Sequence, residues 1–199
     1  MIGAFIKALV SIAALTTVVA GVTPRASGQS EILTQYALWD SDGDSNARIR
    51  VSADKAIFLM PFLGYERWEM PIAKGGEWHT GNVARKTSYG ANPPGSALDK
   101  LDKEAGHRVD GVSDRRGLRG KFDGTDLWIE GVVINDITSV WRGQQSSTRL
   151  ERRYDLHLVL SSDGDCRVIK GRDVFFDHGT QPYRLEMNWS ECRKIPVEP

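Results

Sequence analysis

From Tyr154 onward, large apolar residues fall at every second position: Tyr154, Leu156, Leu158 and Leu160 alternate with Asp155, His157 and Val159. An extended backbone sends successive side chains to opposite faces, so this repeat of two predicts a half-buried strand. The same spacing near the C-terminus sets Tyr183, Leu185, Met187 and Trp189 against Arg184, Glu186 and Asn188, and predicts another. Between them, Ser161-Ser162-Asp163-Gly164-Asp165 contains an Asp-Gly pair, whose glycine accepts the positive φ of a tight turn. Residues 154–160 are therefore expected to fold back onto 166–169. Upstream, residues 127–134 are β-rich, and Arg142 to Ser147 forms a polar connector before Leu150, which predicts a second hairpin. Shorter strand candidates are Gln35–Trp39, Arg48–Val51, Ala56–Leu63 and Asp173–Phe176, each bounded by Gly, Asp, Ser or Pro.

Helical patterning is confined to residues 96–105, where Ser96 suits an N-cap, Asp99 follows three residues on, and Gly106 stops the run. Many short strands with one short helix predict a mainly β fold, an antiparallel β-barrel or sandwich. Residues 74–126 hold many Gly and charged residues and the Pro93-Pro94 pair, without long apolar alternation. They are expected to form a loop-rich excursion on a single domain spanning 29–199.

The first 28 residues differ from the rest. Lys7 precedes 15 uncharged residues, Ala8 to Val22, and small residues follow near Ala20 and at Ala26-Ser27-Gly28. This predicts a signal peptide over 1–28, because the run falls short of the roughly 20 residues that span a bilayer core. The expected location is then the periplasm or the extracellular space, with membrane contact only through the transient leader. The whole chain balances 26 Lys+Arg against 26 Asp+Glu, and the leader removes Lys7 and Arg25 but no acid. A remainder slightly on the acidic side has no field to hold a polyanion, so nucleic acid is not expected as a partner. In an oxidising compartment the two cysteines, Cys166 and Cys192, are expected to form one disulfide.

Asp40, Asp42, Asp44 and Asn46 place oxygen ligands at alternate positions, a pattern that suits Ca²⁺, although the glycine and glutamate of an EF-hand loop are replaced by Ser45 and Val51. A solvent-facing turn explains the same residues. No other cofactor is expected. The four histidines, His79, His107, His157 and His178, lack any i, i+4 pairing, and no nucleophile elbow, phosphate loop or dinucleotide fingerprint occurs. Glu77 with His79, and Asp155 with His157, are carboxylate–imidazole neighbours that could serve as dispersed catalytic groups, whereas the adjacent Asp177 and His178 would point apart in an extended chain. Among six tryptophans, Trp78 and Trp128 are the surface candidates for stacking on a ligand, and Trp189 belongs to a core face. Arg115, Arg116 and Arg119 lie in a mixed-charge stretch that reads as a solvated surface loop, with an anionic ligand such as an envelope component as the functional alternative.

These patterns lead to an exported, non-enzymatic binding domain for an envelope protein or glycan. The second expectation is an exported hydrolase with dispersed residues, and the third a structural component of an envelope assembly.

Overall fold

The computed structural model describes residues 34–40, 43–63, 66–90, 92–161, 163–179 and 181–197; the expected signal peptide and Asp42 lie outside these residues, as do the side chains of Asp44 and Asn46. The chain is mainly β, as the alternation predicts, with two antiparallel sheets stacked as a sandwich that does not close into a barrel. The smaller sheet has the order β13-β1-β2-β3-β4, formed by β1 (Thr34–Asp40), β2 (Gly43–Val51), β3 (Lys55–Leu63), β4 (Glu66–Ala73) and β13 (Glu191–Ile195). The larger runs β12-β11-β10-β9-β7-β6, from β6 (Val83–Ser88), β7 (Arg108–Asp114), β9 (Asp126–Trp141), β10 (Gln144–Leu160), β11 (Cys166–Asp177) and β12 (Tyr183–Asn188). Two short strands, β5 (Trp78–Thr80) and β8 (Leu118–Phe122), extend it, with β8 pairing β9.

Alternation explains the core. Leu127, Ile129, Tyr154, Leu156, Leu158 and Leu160 of the larger sheet meet Leu38, Ile49, Phe58, Met60, Met70 and Ile72 of the smaller one, all buried. Phe58 and Tyr154 meet edge to face with ring centres 5.2 Å apart. Burying such side chains between two sheets is the main favourable contribution to folding. The connection from β12 to β13 crosses between the sheets: the Trp189 amide donates to Gly171, the Ser190 amide to Trp39, and the Trp189 ring is buried. Cys166 and Cys192 are joined as a disulfide between β11 and β13.

Two expectations change in detail. Residues 74–126 carry β5–β8 and the helix rather than a loop-rich excursion. These strands are short, and backbone pairing defines them more than long apolar alternation does: β7 and β8 pair with β9, β6 pairs with β7, and β5 with β8. The connector at Arg142 to Ser147 is much tighter than expected: Arg142 (φ 49°) and Gly143 (φ 76°) make a two-residue turn, and Gln144 already pairs with Trp141. Positive φ at both central residues is the type I′ geometry that matches strand twist.

Helix α1 (Ala97–Glu104) starts on Ser96, whose side chain accepts from the Asp99 amide. It sits inside out. Asp99 and Asp102 are buried, whereas Leu98 and Leu101 face solvent.

Across the outer face of the larger sheet, ion pairs Arg119–Glu130, Arg149–Asp136, Lys170–Asp155 and Arg172–Glu186 bridge neighbouring strands. Hydrogen bonds from Arg116 hold the Asp114 carboxyl at about 2, below its ordinary 3.8, and those from Lys103 and from Arg172 lower Asp99 and Glu186. A folded value below the unfolded one means stability that is present above the ordinary carboxylate range and lost as the pH falls. The melting temperature is therefore expected to hold from neutral pH to about 5 and to fall between about 4 and 2, as a calorimetric pH series would record. A flat profile across that window would contradict the pairing.

Candidate functional site

The outer halves of β9 and β10, toward the Arg142-Gly143 turn, run on past the buried core. Burial fades along the inward face of β9 from Val133 through Asn135 and Ile137 to a half-buried Ser139 and an exposed Trp141. In register, Ser139 lies opposite Ser146, Ile137 opposite Thr148, Leu150 opposite Asp177, and Asp177 opposite Tyr183. These rows share the face that farther down forms the core. Here they floor an open groove of about 440 Å³ lined by Ile137, Ser139, Ser146, Thr148, Asp177 and Tyr183.

The groove is built of fixed polar groups and one aromatic wall. Thr148 Oγ1 donates to Asp177 Oδ1 at 2.8 Å, and the Gly179 amide donates to the same oxygen at 2.7 Å. Tyr183 is 55% exposed, with its ring centre 5.6 Å from Phe175. Phe175 lies 5.7 Å from the Arg152 guanidinium, and Arg152 is paired with a fully buried Asp173. The wall thus stands on a buried ion pair.

At the β7 side of the same face, three side chains form a hydrogen-bonded line. His107 Nδ1 lies 3.0 Å from Asp102 Oδ1, and His107 Nε2 lies 3.2 Å from Ser139 Oγ. Helix α1 supplies Asp102, the turn after it supplies His107, and β9 supplies Ser139. The other oxygen of Asp102 accepts from the Asn92 amide at 3.1 Å and from Asn92 Nδ2 at 2.8 Å. Gly90, at φ +98°, comes so close that a Cβ there would lie 2.8 Å from Asp102 Oδ2. The Trp141 ring meets the imidazole edge to face with centres 5.1 Å apart.

The residues singled out in the sequence lie elsewhere. Trp78, 43% exposed, and a half-buried Trp128 share the outer face of the larger sheet, on a row with Lys121 and His157. Arg119 stacks over Trp78 at 4.4 Å, Lys121 over Trp128 at 5.0 Å, and His157 on Trp128 at 4.7 Å. Arg116 is exposed and paired with Asp114. Arg115 departs from its expected place on the surface. It is 5% exposed and donates to the Glu69 carbonyl and to Asn82 Oδ1 at 2.6 Å, clamping β4 to the segment between β5 and β6.

His157 Nε2 meets Asp126 Oδ1 at 2.6 Å, while Asp155 pairs with Lys170 at 2.5 Å, so each has a cross-strand partner other than its sequence neighbour. Glu77 is exposed and His79 half-buried on β5. Asp40 Oδ1 accepts from the Gly43 amide at 2.9 Å, closing the turn from β1 into β2. Among the described residues, no group of three His, Cys, Asp or Glu side chains gathers to hold a metal.

No protein-family model, curated protein or solved structure matches the chain.

Proposed function

We propose that this chain is an exported β-sandwich binding domain whose groove takes a glycan chain of the cell envelope. The observation that carries this reading is the pairing of an exposed aromatic ring, Tyr183, with a floor of hydroxyls from Ser139, Ser146 and Thr148. A sugar ring presents an apolar face and a hydroxyl rim. The Tyr183 ring suits the first, and the serine and threonine hydroxyls, which both donate and accept, suit the second. Export is supported by the Cys166–Cys192 disulfide, a bond that persists in oxidising compartments. The outer-face tryptophans offer a poorer platform, because Arg119 already covers Trp78 and His157 covers Trp128.

Titration calorimetry with solubilised cell-wall glycan strands tests this. Binding is expected, and Tyr183→Ala should weaken it about tenfold, which corresponds to roughly 1.4 kcal/mol. Trp78→Ala, on the opposite face, should leave the affinity unchanged. Absence of binding, or equal losses from both substitutions, would remove the groove as the glycan site.

A further inference from the structure

We propose that Ser139 is an activated nucleophile, and that the chain hydrolyses an O-acyl ester carried by the ligand in the groove. Only the carrier of the acyl group depends on the glycan reading; the reactivity of Ser139 comes from its neighbours. An ionised carboxylate accepts hydrogen bonds and cannot donate them. The 3.0 Å contact with Asp102 Oδ1 therefore places the proton of the neutral imidazole on His107 Nδ1 and leaves Nε2 with its lone pair. Ser139 then donates its hydroxyl to Nε2 across 3.2 Å. A nucleophile within hydrogen-bond reach of a base, itself oriented by a third group, is the arrangement that nucleophilic catalysis requires.

The orienting group is itself fixed. Asp102 is 3% exposed, tied to Asn92 by two hydrogen bonds and closed in by Gly90, so the imidazole has one carboxylate position to respond to. On its other side, Ser139 reaches open space, because it lines the groove. Ser146 lies directly across the strand pair, on the same face and in the same groove. The β-carbons of directly paired residues stand about 4.5–5.5 Å apart, which brings a carbonyl oxygen held above Ser139 within reach of the Ser146 hydroxyl as donor. A single hydroxyl donor stabilises an oxyanion less than a pair of amides does. That favours an ester, whose alkoxide leaves more readily than an amide nitrogen.

In the reaction Ser139 Oγ bonds to the acyl carbon while its proton passes to His107 Nε2 and the carbonyl π pair moves onto oxygen. Collapse of the oxyanion breaks the bond to the sugar oxygen, which takes the proton from Nε2. Water then adds to the acyl-serine through the same base, releasing the carboxylic acid and restoring Ser139. Asp102 acts as a positioning residue.

The full chain is tested with a fluorophosphonate probe and with p-nitrophenyl acetate. A single covalent adduct is expected on Ser139, located by peptide mass spectrometry and absent from Ser139→Ala, which removes one oxygen and keeps the wild-type melting temperature. His107→Gln should slow both labelling and ester turnover by about 10²-fold or more. Asp102→Asn should lower kcat by a similar factor with KM unchanged, a split that loosened packing alone would not produce. A chain that takes no adduct, or takes it equally in Ser139→Ala, overturns the assignment. Neither reagent needs a glycan, so loss of glycan binding with Ser139 still labelled sinks the groove reading alone, and the reverse result sinks the nucleophile alone.

Discussion

Asp173→Ala is expected to destabilise the fold by about 3–5 kcal/mol, and Arg152→Ala by a similar amount, because each leaves the other charge buried and alone. Asp173 is fully buried and Arg152 nearly so; Arg152 Nε lies 3.3 Å from Asp173 Oδ1, and the Arg152 Nη2 contact with Oδ2 is closer. Burial pushes the Asp173 carboxyl up, against the pull of the Arg152 guanidinium. Desolvation therefore consumes much of the Coulombic attraction, and the pair as a whole stabilises the fold far less than breaking it destabilises it. The double replacement, Arg152→Met with Asp173→Leu, should accordingly lose much less than either single alanine variant. Thermal and urea unfolding of the four proteins measures this, with melting-temperature shifts of about 6–20 °C for the single variants. Single losses near zero would mean that water reaches the pair. Because Arg152 lies against Phe175, and Phe175 against Tyr183, the single variants should also weaken the proposed glycan binding at temperatures where they remain folded.

The parts of the fold that could be read from the sequence are those where one face is dry and the other wet. Tyr154 to Leu160 is such a segment: its four alternate side chains all enter the core. The Asp163-Gly164 turn and the Ser96 cap were legible for a local reason, since glycine's positive φ and a serine oxygen aimed at the third amide need no tertiary context. The alternation from Tyr183 to Met187 also marks a strand, yet its apolar side is left partly uncovered: Tyr183 lines the open groove, and both Tyr183 and Leu185 are exposed. Periodicity reports that two faces differ; it does not report whether a second sheet extends far enough to cover one of them. In α1 the same limit appears in reverse, because Asp99 and Asp102 are buried by hydrogen bonds to Lys103, Asn92 and His107 that no helical pattern encodes.

The groove was harder to read than the fold. Its floor comes from the inward positions of β9 and β10, where serine and threonine take the place of the mostly large apolar residues found farther down the same strands, a change in composition along one face rather than a motif. Asp102 and His107 are five residues apart, close enough to be noticed, but the helix end between them makes the pairing, and Ser139 lies 32 positions beyond the histidine. Only the register of β7 on β9, with Val109 opposite Ser139, brings the three together. Tryptophan is rare and large and so stands out in a sequence, yet the exposed ring that lines the groove is Tyr183.

Reduction of the disulfide, or replacement of both Cys166 and Cys192 by alanine, is expected to lower stability by about 3 kcal/mol. The partners are 26 positions apart, so in the unfolded chain the bond closes a loop of moderate length and removes conformations that the reduced chain would regain. Its position adds a second consequence. Cys166 opens β11 in the larger sheet, and Cys192 lies in β13, which hydrogen-bonds to β1 along one side and ends the smaller sheet. The bond thus holds an edge strand to the opposite sheet, next to the crossover that buries Trp189. Hydrogen exchange should accelerate first at β13 and at its partners in β1 when the bond is absent, with the β9 and β10 core slower to respond. Equal melting temperatures with and without reductant, in a chain whose thiols are shown to be free, would contradict the effect. Domains of this size are held by about 5–15 kcal/mol in total, so a loss of about 3 makes the fraction unfolded depend strongly on whether the surroundings oxidise thiols.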